Sequence, residues 1–76
     1  MDKAKYLLAK ANGLLEELRG DEIDKRLRKR GYTHSKQIAI AFDKDTKPDE
    51  YEAYQALRAE VKAEVDADMA ELEAQL

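Results

Sequence analysis

Between residues 51 and 76 the large apolar side chains Tyr51, Tyr54, Leu57, Val61, Val65, Met69, Leu72 and Leu76 recur at steps of three and four. At 100° per residue they occupy about a third of a helix circumference, so the segment from Pro48 onward is predicted as one long helix carrying one apolar stripe. The steps average closer to the ~3.6-residue period of a straight helix than to the ~3.5 of a left-handed supercoil. Such a helix spans about 40 Å at 1.5 Å per residue. The preceding segments are shorter, so part of the stripe is expected to remain for a partner.

Residues 2–19 place Leu7, Ala11, Leu14, Leu15 and Leu18 on one side of a helix. Asn12-Gly13 interrupts it, and a glycine there costs roughly 1 kcal/mol relative to alanine, which predicts a kink or an early break. Gly20 reads as the left-handed cap that ends this helix, and Asp21 as the N-cap of a second, short one running to Arg30 and closing at Gly31. Gly20 and Asp21 of "RGD" are thereby punctuation rather than an adhesion signal. Thr33 then offers an N-cap for a third helix, with Ile38, Ala41 and Phe42 on its core face. Ile38, Ile40 and Phe42 also alternate as a strand would, but no second strand exists to pair with it. The expected architecture is all-α: one domain over residues 1–76, a small bundle of three short helices and one long C-terminal helix.

Charge changes the picture more than composition does. Charged residues make up 41% of the chain and the net charge is only −3, yet residues 19–36 hold seven basic and three acidic side chains while residues 51–76 hold two basic and seven acidic. The two regions either neutralise each other or serve separate partners. Lys25, Arg26, Arg28, Lys29 and Arg30, followed by Gly31 and a further helix, form the first pieces of a helix-turn-helix, and such a run suits phosphate contacts. Against it, the next helix would bring Asp49, Glu50 and Glu52 to the phosphates. A third reading takes Glu60, Glu64, Asp68 and Glu71, which i,i+3 and i,i+4 spacing lines up, as a nucleic-acid mimic that inhibits a host nucleic-acid-binding protein.

Candidate chemistry is sparse. Numbered from Asp43, a calcium loop would need an acidic or amide ligand at Lys47, a glycine at Pro48 and a bidentate glutamate at Tyr54. The same residues suit a helix start: Thr46 capping the amide of Asp49, Pro48 in the first turn, and Asp49 and Glu50 at the positive end of the helix dipole. His34, the one histidine, has no acidic or serine partner at a recognisable spacing. Cysteine is absent, which removes disulfides and thiolate metal sites and suits a cytosolic setting. The N-terminal residues lack both a signal-type apolar block and a membrane-spanning run. These features predict a protein that is not an enzyme, with no catalytic residue, cofactor, metal site, membrane association or small-molecule substrate.

Residues 31–65, "GYTHSKQIAIAFDKDTKPDEYEAYQALRAEVKAEV", resemble the end of short helical proteins encoded by bacterial phages and prophages. In those a tyrosine precedes a short "IAI" or "LAI" helix, a "D-T-K-P-E-E-Y/F" turn and a tyrosine-containing helix with a Lys-Ala-Glu-Val-like stretch. Asp45-Thr46-Lys47-Pro48 with Tyr51 and Tyr54 carries the most specific part. The extended first helix and the "KRLRKR" run depart from the pattern. The resemblance brings no catalytic residues and implies a small accessory protein of virion assembly or of the phage–host encounter, acting in the bacterial host cytoplasm. With the long stripe, this leads to an expected function in protein–protein interaction, the partner being another protein or a second copy joined through the stripe of residues 51–76; nucleic acid is the alternative partner.

Overall fold

The computed structural model describes residues 1–76 as four helices and no strand: α1 (Lys3–Ala11), α2 (Leu15–Lys29), α3 (His34–Phe42) and α4 (Pro48–Ala74). The three shorter helices lie along the long one, giving a rod of 47 × 18 × 18 Å. The chain reverses direction between α2 and α4: Arg19 pairs with Asp66 at one end of α2, and beyond its other end Tyr32 meets Tyr54. The predicted all-α architecture with a long C-terminal helix is the one observed.

The helix breaks fall where backbone chirality requires them. Gly13 has φ +68° and Gly31 φ +90°, both in the left-handed region that glycine enters without a Cβ penalty. At each, the next residue's amide reaches back five residues, Leu14 N–H to the Ala9 carbonyl at 2.8 Å and Tyr32 N–H to the Leu27 carbonyl at 2.9 Å. This is the Schellman closure. Gly20 does not end a helix, in contrast to the expectation above. It lies inside α2, with Asp21 and Asp24 in the helix body and the "RGD" tripeptide on a continuous helix. A capping glycine gains only when the chain must turn. Here α2 continues because Ile23 and Leu27 beyond Gly20 are buried against α4, and that burial outweighs the roughly 1 kcal/mol propensity cost of one glycine.

Ile23, Leu27, Val61 and Val65 form the core, with Met1, Tyr32, Leu57 and Met69 packed around it. Only eight residues are buried in all, so each carries a large share of the fold. α1 contributes one of them, Tyr6, and α3 one, Ile40.

Two local expectations are corrected. α3 is rotated: Ile40 faces the interior, while Ile38 and Phe42 face solvent. Thr33 caps α3 as predicted, its hydroxyl accepting the Lys36 amide at 3.2 Å. The rotation follows from Gln37, whose side-chain N–H donates to the Tyr32 carbonyl at 3.0 Å and whose Oε1 accepts from the Tyr54 hydroxyl at 2.6 Å. Holding Gln37 inward places Ile40, three residues on, inward as well. At α4, Thr46 does not cap Asp49. Its hydroxyl donates to the Asp43 carbonyl at 3.0 Å, and Lys47 holds the cap position without a side-chain bond. Pro48, Asp49 and Glu50 do occupy the first turn.

Candidate interaction surfaces

The apolar stripe of α4 is consumed within the chain. Tyr54, Val61, Val65 and Leu72 are buried, Tyr51, Leu57 and Met69 are half-buried, and Leu76 alone is open. The three shorter helices succeed one another along α4, so together they cover a stripe that none could cover alone. The surplus expected for a partner on residues 51–76 is therefore not there.

Helical phase divides the basic run. Arg26 and Arg30, four residues apart, turn toward α4: Arg26 Nη2 donates to Asp68 at 2.5 Å and its Nε to Glu22 at 3.1 Å, while Arg30 Nη2 reaches both oxygens of Glu64 at 2.8 and 3.0 Å. Arg19 joins them with two bonds to Asp66, at 2.6 and 3.2 Å. Lys25, Arg28 and Lys29 make no ion pair and point outward. Of the five basic residues read as one nucleic-acid face, two are thus committed to the acidic helix. The proposed acidic row is divided by the same contacts, since Glu64 and Asp68 are bound while Glu60 and Glu71 stay exposed.

At the far end of α4, Glu73 clasps α1. It accepts from the Tyr6 hydroxyl at 2.5 Å and pairs with Lys10. The Lys10 ammonium, then the Tyr6 hydroxyl, hold the Glu73 carboxyl below its ordinary range, and the same bond raises the Tyr6 phenol. Hydrogen bonding from Arg19 lowers Asp66, and from Arg26 lowers Asp68. Favouring the charged form in this way is the expected effect of a cationic donor.

The surfaces that sequence reasoning missed are the outward faces of the two nine-residue helices. On α3, Ile38 and Phe42 lie about 160° from Ile40 at 100° per residue, and Phe42 is 84% exposed. On α1, Leu8 lies about 160° from Tyr6 and is 67% exposed, with Leu7 beside it. Ala4, Ala11, Ala39 and Ala41 fill out these faces, all exposed. The signal lies in the apolar runs Tyr6-Leu7-Leu8 and Ile38-Ala39-Ile40-Ala41-Phe42, which span more of the circumference than a helix packed on one side needs. Periodicity alone assigns Leu7 and Ala11, and Ile38, Ala41 and Phe42, to the core side and does not single out Leu8.

The other candidates are dispersed. His34, Asp43, Asp45 and Asp49 are exposed, and no three histidine, aspartate or glutamate side chains converge as a metal site would require. No helix is long and apolar enough to cross a membrane. No protein family, curated protein or solved structure matches the chain.

Proposed function

We propose that the chain is a non-enzymatic protein-interaction module of the small phage and prophage type, an accessory assembly or host-interaction factor, that docks through the outward faces of α1 and α3. The carrying observation is the exposure of Ile38 and Phe42 directly opposite Ile40. Apolar area left in water forgoes about 25 cal/mol per Å², and a contiguous exposed apolar face characteristically marks an interaction site. The resemblance of residues 31–65 to phage-encoded helical proteins supports the same reading and centres on this helix and the turn after it.

The test is an Ile38→Ser/Phe42→Ser double variant beside a Leu7→Ser/Leu8→Ser one, each first shown to retain helical content and thermal stability. Association is measured by sedimentation over a concentration series and by capture from bacterial lysate. Loss of association in either folded variant supports the docking faces; unchanged association in both overturns them.

A second reading, nucleic-acid binding, is favoured by one observation: Lys25, Arg28 and Lys29 project together at i, i+3, i+4 without acidic partners in the chain. It predicts retention of duplex DNA or RNA that falls steeply with salt, and no retention at low salt removes it.

A further inference from the structure

We infer that the partner covering these faces is a second copy of the same chain, laid antiparallel so that α1 of one protomer packs on α3 of the other, twice. This rests on reading α1 and α3 as docking faces. Three features of the rod lead to it.

The first is the placement of the apolar faces. α1 packs beside Glu73 near the C-terminal end of α4, and α3 packs on Tyr54 near its N-terminal end. Each carries a single buried anchor and an aliphatic or aromatic face on the other side. Reversing a second rod brings α1 against α3 at both ends at once, so one contact type is used twice about a two-fold axis. The assembly then closes, as isologous interfaces do.

The second is charge. The side of α2 turned away from Ile23 and Leu27 presents the acidic Glu17, Asp21 and Asp24 before the basic Lys25, Arg28 and Lys29, the sign changing between the adjacent Asp24 and Lys25. An open groove of about 1090 Å³ follows this side between the N-terminal ends of α1 and α3, lined by both signs, including Lys5, Asp21 and Lys25. Two parallel copies would place like charges together. Two antiparallel copies place the acidic stretch of one α2 against the basic stretch of the other, a self-complementary arrangement that fixes orientation more than affinity.

The third is area. A nine-residue helix is about 13 Å long and ~10 Å wide, so α3 alone offers far less than the roughly 800 Å² per partner of a standard interface. A full side of the rod, 47 Å by 18 Å, matches that size. A partner engaging α1, α2 and α3 together is the occupant that the dimensions fit.

The test uses the full chain with no other protein present. Sedimentation equilibrium is run on the wild type, on Lys25→Glu/Lys29→Glu and on Asp21→Lys/Asp24→Lys. A wild-type dimer is expected, with dissociation constants raised at least about tenfold in each variant and association recovered on mixing the two. Orientation is read by mixing a Leu8→Cys chain with a Phe42→Cys chain under mild oxidation. A cross-linked heterodimer in preference to self-linked Phe42→Cys chains is expected. A wild type monomeric at every concentration, a dimer indifferent to both charge reversals, or preferential self-linking of Phe42→Cys overturns the inference. Should the chain be monomeric while Ile38→Ser/Phe42→Ser still abolishes capture of a different protein, the second copy fails and the docking faces stand. If neither association nor capture responds, both fail.

Discussion

The Tyr54 hydroxyl donates to Gln37 Oε1 at 2.6 Å, tying the first half of α4 to the middle of α3. Gln37 in turn donates to the Tyr32 carbonyl, and the Tyr32 and Tyr54 rings lie 5.5 Å apart between centroids. This polar contact beside an aromatic pair sets which side of α3 faces inward. It therefore decides that Ile38 and Phe42 are exposed.

Removing the hydroxyl should loosen that choice. Tyr54→Phe leaves Gln37 Oε1 without its partner in a half-buried position, at an expected cost of about 1 kcal/mol. Gln37→Ala removes both hydrogen bonds that hold this position inward without adding apolar area beside Ile40, and so frees α3 to turn Ile38 and Phe42 inward. Denaturant titration should show the loss in Tyr54→Phe, and solvent labelling at a Phe42→Cys reporter should show reduced accessibility when Gln37→Ala is added.

The glycines separate two roles that look alike in sequence. At Gly20, inside α2 with ordinary helical φ and nothing within 4 Å of an added Cβ, Gly20→Ala is expected to stabilise by about 0.5–1 kcal/mol. At Gly13, open in the same steric sense but at φ +68°, Gly13→Ala should destabilise by about 1–2 kcal/mol through backbone strain. Opposite shifts in thermal midpoint confirm the pair. A loss at Gly20 would mean that α2 is not continuous there.

These positions also show what the sequence made legible. The long stripe of α4 announces its helix, because eight positions agree on one period. Capping at Thr33 and closure at Gly31 were readable from local chemistry alone. Gly20 mimics a helix end because glycine followed by aspartate has the same local grammar at a helix boundary and within a helix, and only the burial of Ile23 and Leu27 against α4 distinguishes them. The phase of α3 is hidden for a related reason: the i,i+4 spacing of Ile38 and Phe42 favours the side opposite Ile40, and the residue that decides against it is the polar Gln37. The basic run looks like one patch along the sequence, although 100° per residue sends Arg26 and Arg30 to a different side from Lys25, Arg28 and Lys29.

A core this small leaves little reserve. Leu27 is fully buried in the cluster with Ile23, Val61 and Val65, and a buried leucine-to-alanine change typically costs about 2–5 kcal/mol. At roughly 0.05–0.15 kcal/mol per residue the whole domain holds on the order of 4–11 kcal/mol. Leu27→Ala should therefore lose roughly a fifth of the stability at the least and about half at mid-range, read as a shifted denaturant midpoint. Leu7→Ala, on the exposed side of α1, should change the monomer by less than about 0.5 kcal/mol.

Acid should open the rod in a defined order of causes. Arg19, Arg26 and Lys10 hold the carboxyls of Asp66, Asp68 and Glu73 below their ordinary values. A carboxyl whose folded pKa lies below its unfolded one favours folding above the unfolded value, about 4 for Asp and Glu. That contribution is lost as pH falls from there through the folded value. The three pairs bridge α1 to α4 and α2 to α4, so protonation releases the short helices from the long one while leaving each helix its backbone bonds. All three are partly solvated and each is worth little alone. The effect is expected as a gradual fall in thermal midpoint below about pH 4.5, smaller in high salt because the pairs are already screened. Tyr6, raised by its bond to Glu73, gives the mirror case: its contribution is complete below about pH 10 and disappears as pH rises through its elevated folded value. A Tyr6→Phe variant should therefore lose part of the wild type's alkaline sensitivity, and an unchanged alkaline profile would show that the Tyr6–Glu73 clasp does not hold α1 in solution.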